Sequence, residues 1–333
     1  MANTIAHANE TRPVAHSALR SLLANQIAGV FGILIAMIII SHFLSPTFLT
    51  GYNITIIMRA LAFAGIVALG QCLLLILGEL DLSIGAIAGL CAVVGGMLMV
   101  QAKLDPFVAF GICLMLGVLC GFINGILIAG LRLNALVATI GMTGIYAGIN
   151  LVATQGRAIT GIPQSILFLG KGDIAGIPIP FIFLIVVAII ITVLALCTPF
   201  GRYIYAIGNN REAAQMLGIK VNKVRVICFM IAGLLASLAG MLMVARLGSA
   251  QPSIGNVWVM ASIAAPVIGG VATTGGVGNP LGALIGAAII GVIENVIVLL
   301  GVSPYWQTIV SGAIVVLAIS FDSIHRNFMK KAS

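Results

Sequence analysis

The sequence alternates between long apolar runs and short polar intervals. The runs are about 20 residues long, which is the length that an α-helix needs to cross the hydrocarbon core of a bilayer. The pattern predicts an all-α fold, a polytopic transmembrane helical bundle of about ten spans. The predicted spans are residues 22–43, 54–77, 82–101, 107–130, 134–154, 179–197, 226–245, 258–274, 281–300 and 305–322.

The composition supports a membrane location. Hydrophobic residues make up 61% of the chain and charged residues 7%, whereas about 25% of the residues in soluble domains are charged. The net charge of +8 does not indicate nucleic-acid binding, because the cations lie between the apolar runs and not on one polar face. The six cysteines lie in or beside apolar runs without a CxxC pair, which is typical of buried thiols.

The distribution of Lys and Arg predicts the orientation, because short loops rich in cations stay in the cytoplasm. The interval 198–225 carries five of the 16 cations and is assigned to the cytoplasm. Both termini are then cytoplasmic: residues 1–21 form an N-terminal segment without a signal-peptide cleavage pattern, residues 22–322 form the transmembrane domain, and residues 323–333 form a tail. Residues 155–178 form the longest outer loop. Five cations face outward: Arg59, Lys103, Arg157, Lys171 and Arg246.

The interval 198–225 also contains a predicted short helix. Asn209, followed three residues later by Glu212, predicts a helix start with a capping box, and Gly218 predicts a left-handed helix end. So short a helix is not stable alone in water, so another surface must pack against it. An ordinary connecting loop is the alternative. The apolar surface of the helix would consist of Ala213, Ala214, Met216 and Leu217.

Many of the 40 glycines lie inside the predicted spans. Small residues four positions apart let two helices approach closely. Two glycine-rich stretches, residues 78–85 and 269–282, also contain polar residues or proline at span ends, which is typical of places where helices break and line a cavity. Whether these stretches are re-entrant stays open. The predicted packing pairs are Gly85/Gly89, Gly117/Gly121, Gly121/Gly125, Gly144/Gly148 and Gly282/Gly286.

Polar side chains in or beside the spans are candidates for a translocation path. A carboxylate at the bilayer centre costs at least ~2.5 kcal/mol, so it must face a partner or water. The alternative for Glu79, Asp81 and Ser83 is an interfacial or helix-capping role. The alternative for Asn124 and Asn295 is an interhelical hydrogen bond. The candidates are Glu79, Asp81, Ser83, Asn124, Glu294 and Asn295.

The motifs of enzymes and nucleotide-binding proteins are absent from the sequence. It contains no G-x-x-x-x-G-K-[ST] phosphate loop, no H-E-x-x-H or G-x-S-x-G motif, and no paired CxxC motifs. The four histidines lie near the termini or at a span edge. We therefore expect neither catalysis nor a metal site in this chain, and energy for transport must come from another protein.

Two segments carry a resemblance to a known family. Residues 208–226, GNNREAAQMLGIKVNKVRV, resemble the EAA loop of ABC-importer permeases as it occurs in the ribose-type sugar permease family. Residues 78–85, GELDLSIG, resemble that family's G-G/E-I-D-L-S-V-G motif, with Leu80 and Ile84 as departures. The resemblance covers nearly the whole chain, and residues 265–274, APVIGGVATT, depart from the commoner family sequence, which leaves the sugar open.

The resemblance implies a permease subunit of an ABC importer in the bacterial inner membrane, which moves a monosaccharide or related polyol. The expected partners are a cytosolic ATPase that binds ATP and Mg, a periplasmic sugar-binding protein, and a second permease chain in a homodimer or heterodimer. The five outer cations would receive the binding protein, with lipid phosphates as their alternative partners. The coupling helix that docks on the ATPase would comprise Asn209, Arg211, Glu212, Ala213, Ala214, Leu217 and Gly218.

Two other functions stay open at this point. A branched-chain amino acid permease has the same architecture and a related loop. A secondary transporter driven by ions belongs to a different class, and it would need a membrane-embedded ion site and no docking helix.

Overall fold

A computed structural model describes residues 26–303 and scattered positions between 306 and 320. The predicted N-terminal segment 1–21, the tail 323–333 and half of the residues in the span predicted at 305–322 lie outside the described residues. The helices are α1 (Gln26–Leu44), α2 (Gly51–Ile76), α3 (Ile84–Val100), α4 (Pro106–Ala129), α5 (Ala135–Thr154), α6 (Gln164–Lys171), α7 (Ile179–Cys197), α8 (Pro199–Asn209), α9 (Arg211–Met216), α10 (Val221–Leu247), α11 (Trp258–Ile268) and α12 (Pro280–Leu299).

Within the described residues, seven helices are long and apolar enough to cross a membrane: α1, α2, α4, α5, α7, α10 and α12. Two further apolar helices, α3 and α11, are shorter. The prediction of one span over residues 258–274 is wrong after Ile268, because α11 ends there and is followed by Gly269 and Gly270. The chain is thus a helical membrane protein with helices of two lengths.

Two short β-ladders accompany the helices. The strand β1 (Ile159–Thr160) pairs antiparallel with β4 (Ser249–Ala250), and β2 (Asp173–Ile174) pairs antiparallel with β3 (Ile177–Pro178). Three of these four strands lie in the predicted outer loop 155–178, which also contains α6. This loop is therefore an ordered structure at one end of the bundle.

The bundle has two distinct ends, named here by the short helices that they carry. At the α6 end, α6 lies across the C-terminal end of α10, so closely that a Cβ atom at Gly170 would overlap the backbone of Arg246. At the α9 end, the C-terminal end of α2 meets α8, where a Cβ atom at Gly208 would overlap the carbonyl of Ile76. The helix α2 runs between the two ends, and its residues from Phe63 to Ile76 are nearly all buried.

The glycine pairs differ in what they contact. Gly117, Gly121 and Gly125 pack α4 against the backbone of α10, and Gly282 and Gly286 pack α12 against α11 and Gly269. These pairs confirm the predicted close helix packing. The packing of Gly144/Gly148 stays a prediction, because a Cβ atom at either position would meet no other described residue within 4 Å.

The chain between α10 and α11 consists of the strand β4 followed by a series of turns at residues 252–257, which pack against one side of α3. This connection lies alongside α3: Ala250 packs against Gly96, the carbonyl of Ile254 against Gly89, and Gly255 against Gly85. The sequence analysis took Gly85/Gly89 as a site of helix packing. These glycines in fact lie mainly against the backbone of the turns, although Gly85 also lies beside Val259 of α11. Irregular backbone is tolerated at membrane depth only when protein surrounds it or when it lines a cavity.

Candidate coupling and translocation sites

Glu79 lies in the break between α2 and α3 and is held by two arginines. Its Oε1 atom accepts hydrogen bonds from Arg211 Nη2 at 2.5 Å and from Arg225 Nε at 2.8 Å. Glu79 and Arg225 are buried, whereas the side chain of Arg211 is 47% exposed. A buried charge is tolerated only when it is paired. Because Arg211 begins α9 and Arg225 lies in α10, this cluster joins the short helix to the break in the bundle.

A left-handed glycine places Glu79 at this position. The helix α2 ends at Ile76, and Gly78, two residues later, has φ of +81° and donates its N–H to the carbonyl of Leu75 at 2.9 Å. The N–H of Glu79 then donates to the carbonyl of Leu74 at 2.8 Å. This arrangement satisfies carbonyls that the end of a helix otherwise leaves without donors. The turn is therefore set by local backbone chemistry, while the direction of the Glu79 side chain depends on its partners.

The glycine-rich stretch 269–279 meets the same end of α2. Gly276 donates its N–H to the carbonyl of Ile76 at 2.8 Å, and the Tyr205 hydroxyl in α8 donates to the carbonyl of Gly278 at 2.8 Å. Burial raises the pKa of Tyr205 to about 12, so the hydroxyl keeps its proton at neutral pH and remains a donor. Both predicted glycine-rich breaks thus meet at the α9 end.

The N-cap of α9 is Asn210 and not the predicted Asn209. The Asn210 Oδ1 atom accepts from the N–H of Ala213 at 2.9 Å, whereas Asn209 is the last residue of α8. The prediction is wrong because the preceding helix, α8, extends through Asn209. The N-cap of α9 is therefore one residue later than predicted. Glu212 then lies at the second helical position, so the predicted capping box does not form. Gly218 ends the helix with φ of +81°, as predicted.

The two faces of α9 have different surroundings. Ala214 is 2% exposed and packs inside the chain, so it does not belong to the predicted free apolar surface. Met216 and Leu217 are 88% and 80% exposed, and Ala213 and Glu212 are also exposed. Ala214 therefore anchors the short helix to its own chain, and the opposite face presents an apolar surface to the outside.

Asp81, Ser83 and Asn124 form a buried hydrogen-bond network. The Asp81 Oδ1 atom accepts from the backbone N–H and the hydroxyl of Ser83, both at 2.7 Å. Asn124 Nδ2 donates to Ser83 Oγ at 2.7 Å, and the Tyr146 hydroxyl donates to Asn124 Oδ1 at 3.1 Å. Burial raises the pKa of Asp81, although the hydrogen bonds from Ser83 and Asn124 oppose this shift.

This network attaches the α2–α3 break to α4 through Asn124 and to α5 through Tyr146. The three predicted path residues within it are completely buried, and none of them lines the cavities described here. The geometry favours the structural alternative for Asp81, Ser83 and Asn124, because such a network orders a core when all of its members are paired.

A cavity of about 430 Å³ lies among α2, α10, α11 and α12 towards the α6 end. Its lining is mainly apolar, and Glu294 is the predicted path residue that reaches it. The polar lining also includes Arg246, Asn256 and Gln307, and Gln307 Nε2 donates to the carbonyl of Glu294 at 3.3 Å. A largely apolar cavity with a few convergent polar groups is typical of a small-molecule site.

One wall of this cavity is a stack of three side chains. The rings of Phe63 and Trp258 are nearly parallel, with their centroids 6.1 Å apart. The Cζ atom of Arg246 lies 5.4 Å from the centroid of Phe63, within range of a cation–π interaction. Trp258 is the first residue of α11, so the stack holds the start of this short helix against α2.

Asn295 does not line the cavity. Its side-chain amide exchanges two hydrogen bonds with that of Asn53 in α2, at 2.9 and 2.8 Å. Asn53 Nδ2 also donates to the carbonyl of Phe48 at 2.8 Å. The predicted alternative, an interhelical hydrogen bond, therefore describes Asn295.

Three of the five outer cations lie together at the α6 end. Arg59 Nη2 donates to the backbone carbonyl of Lys171 at 3.0 Å, and the Lys171 ammonium lies beside Gly248, two residues after Arg246. Among the described residues, no hydrogen bond or ion pair joins Lys103 or Arg157 to this group. The structure thus brings Arg59, Lys171 and Arg246 together.

The sequence analysis missed several residues of these sites. Arg225 was counted only as a loop cation, although a charge at the start of a long apolar run needs a buried partner. Asn210 was next to the residue selected, and Tyr146, Asn53 and Trp258 were not distinguished from other span residues. Their positions carry no sequence signal beyond polarity inside an apolar run.

Comparisons with known proteins agree on one family. A family model described as a branched-chain amino acid transport system permease component matches residues 53–319. The ribose import permease protein of Bacillus subtilis (strain 168) is 40% identical over 297 residues, covering 88% of this chain and 92% of that protein. The ribose import permease protein of Escherichia coli (strain K12) is 37% identical over 294 residues, covering 87% and 91%.

A further relative is named for a different substrate. The autoinducer 2 import system permease protein of Escherichia coli (strain K12 / DH10B) is 34% identical over 289 residues, covering 86% of this chain and 84% of that protein. No solved structure matches the chain.

Proposed function

Because the chain belongs to the family of transport-system permease components that includes the ribose import permeases, we propose that it imports ribose or a related monosaccharide or polyol. It is a permease subunit of an ABC importer, a multi-pass protein of the bacterial inner membrane. It moves its substrate while a separate ATPase subunit binds ATP and Mg and hydrolyses the nucleotide. The relatives support the substrate class, since proteins that are 34–40% identical to this chain are named as ribose and autoinducer 2 import permeases.

The cluster of Glu79, Arg211 and Arg225 is the observation that carries the coupling mechanism. The exposed face of α9, with Ala213, Met216 and Leu217, docks on the ATPase at the cytoplasmic side. Arg211 begins the same helix and binds Glu79 in the break between α2 and α3. A displacement of α9 by the ATPase is therefore transmitted directly to this break and, through Arg225, to α10. ATP hydrolysis then changes the helix arrangement without any chemistry in this chain.

The α6 end receives the sugar from the periplasmic binding protein. Arg59, Lys171 and Arg246 are cations at this end, and Arg246 also lines the cavity that contains Glu294. Charges at the rim of an interface accelerate encounter and set orientation without deep burial. The carboxylate of Glu294 and the amides of Asn256 and Gln307 are suitable partners for sugar hydroxyls. A second permease chain completes the membrane part of the importer.

A branched-chain amino acid is the second candidate substrate. The description of the matching family model favours it, and the cavity also presents both a guanidinium and a carboxylate, from Arg246 and Glu294. The named relatives favour the sugar.

Reconstituted vesicles test this function. The chain would be inserted with its ATPase and supplied with the binding protein and radiolabelled ribose, galactose, arabinose or leucine. We expect uptake of a sugar that requires ATP and both partners. Uptake of leucine instead would support the second candidate. Uptake driven by an ion gradient without the ATPase would overturn the importer function.

Docking of the ATPase can be tested on the two faces of α9. Ala213→Arg places a large charged side chain on the exposed face, so it should weaken co-purification of the ATPase. The matched control is Gln215→Arg, which makes the same change on the other side of the helix and should leave co-purification intact. Equal retention in both variants would contradict the docking assignment.

A further inference from the structure

A second cavity, of about 500 Å³, lies at the α9 end. It is enclosed by the C-terminal end of α4, the turn that follows α4, the helix α9 and the first turn of α10. Five cations line it. The sequence analysis assigned Arg211 to the coupling helix and treated the other four only as markers of membrane topology. They are Arg132, Arg211, Lys220, Lys223 and Arg225.

The charge in this cavity is not balanced by the protein. Glu79 pairs with Arg211 and Arg225. In the described part of the chain, no acidic side chain forms an ion pair with Arg132, Lys220 or Lys223. Like charges around one concave surface repel one another and attract an anion.

The start of α10 adds to this potential. Lys220 occupies the N-cap position without a capping side chain, and the first helical residues, Val221 to Lys223, line the cavity. The free amides and the helix dipole at such an N-terminus favour a negative charge. The cations and the N-terminus of α10 therefore both make the potential in this cavity more positive.

The surroundings indicate which anion binds. Ile128 and Leu133 line the cavity itself, and Leu131 and Val137, in and after the adjacent turn, are 65% and 68% exposed. An apolar surface continuous with a basic cavity fits a lipid whose headgroup is anionic and whose acyl chains lie along the helices.

The ATPase does not compete for this cavity in the proposed arrangement. Arg211 and Gln215 line it, and residues four positions apart lie on one face of a helix. Met216 and Leu217, which form the exposed apolar face, lie on the other side. We propose that this cavity binds the phosphate-bearing headgroup of an anionic phospholipid from the cytoplasmic leaflet.

Native mass spectrometry of the full-length chain tests the proposal. The detergent-solubilised protein would be titrated with phosphatidylglycerol, with phosphatidylcholine as the zwitterionic comparison. We expect selective retention of phosphatidylglycerol. Each cation near an anionic lipid contributes about a fivefold change in affinity, so Lys220→Gln with Lys223→Gln should weaken retention roughly 25-fold. The control, Arg202→Gln, removes an exposed charge of α8 that does not line the cavity and should retain the lipid.

Three results would overturn the proposal. Equal retention by the Lys220/Lys223 variant and by Arg202→Gln would show that the cavity does not hold the lipid. Displacement of phosphatidylglycerol by millimolar inorganic phosphate, with the same loss in the Lys220/Lys223 variant, would assign the cavity to a free anion. Loss of ATPase co-purification in that variant with unchanged lipid retention would assign it to the partner. Single variants Arg132→Gln and Lys223→Gln, each with about a fivefold effect, replace the double variant if it fails to fold.

Discussion

Glu79 connects three parts of the protein that are far apart in the sequence. Its carboxylate is 132 residues from Arg211 and 146 residues from Arg225. The two arginines differ in their surroundings, since Arg225 is buried and Arg211 is half-exposed. A change at Arg225 or Glu79 therefore leaves a buried charge without its partner, which costs about 3–5 kcal/mol. A change at Arg211 breaks the link to α9 at a much smaller cost in stability.

Arg211→Gln should therefore uncouple the importer without unfolding it. The loss of a half-exposed ion pair costs at most ~1 kcal/mol, so the melting temperature should stay close to that of the wild type. Sugar uptake per ATP hydrolysed should fall several-fold, because movement of α9 no longer reaches the break at Glu79.

The control for this experiment is Arg202→Gln, which removes an exposed arginine from α8 that forms no ion pair among the described residues. The ratio of uptake to hydrolysis should not change in this variant. A normal ratio in Arg211→Gln would show that the pair with Glu79 does not transmit the movement.

At the scale of the element, α9 depends on its cap. A helix of six residues has little stability of its own. Asn210→Ala removes the side-chain acceptor for the N–H of Ala213, at a cost of about 1 kcal/mol. Hydrogen exchange measured by mass spectrometry should become about fivefold faster in residues 211–218. Asn209→Ala, one residue earlier, should leave exchange unchanged. Faster exchange in Asn209→Ala and unchanged exchange in Asn210→Ala would show that Asn209 is the cap, as the sequence predicted.

The contact between α4 and α10 gives a second prediction for an element. Gly121→Ala places a methyl group into the backbone of Phe229, and such overpacking costs about 1–3 kcal/mol. Gly144→Ala makes the same change in α5, where the new Cβ would meet no described residue within 4 Å. Thermal unfolding in detergent should show a lower melting temperature for the first variant alone. Equal melting temperatures would contradict the α4–α10 packing.

At the scale of the whole molecule, the two ends should lie on opposite sides of the membrane. Ser165 in α6 and Arg202 in α8 are both exposed. In a Cys197→Ser background, which removes the exposed native thiol, a membrane-impermeant maleimide should label Ser165→Cys in spheroplasts. It should label Arg202→Cys only after the membrane is disrupted. Labelling of Arg202→Cys in intact spheroplasts would reverse the orientation.

The outer cations give a second prediction at this scale. If they receive the binding protein, ATP hydrolysis stimulated by the loaded carrier should fall as salt rises, because screening shortens the Debye length below ~8 Å. Lys171→Glu, within the cluster of three cations, should reproduce this loss more strongly than Lys103→Glu. Stimulation that is flat with salt and unchanged by reversal of each outer cation would assign these residues to lipid phosphates.

Local patterns in the sequence determined the class of the protein and several of its turns. Apolar runs of sufficient length specify membrane helices because backbone groups in lipid must pair within their own segment. Gly218 ends α9 as predicted because only the next few residues decide that conformation. The EAA-like segment identified the family for the same reason, since its pattern lies within one short stretch of the chain.

Only the tertiary structure decided which distant residues meet. The partners of Glu79 and Asn295 depend on which helices lie side by side, and a hydrogen bond across 132 or 242 residues leaves no local periodicity. The turns at residues 252–257 lie against α3 because Gly85 and Gly89 leave room for their backbone. The sequence showed the small residues, but their contact with a connecting segment follows from the three-dimensional packing.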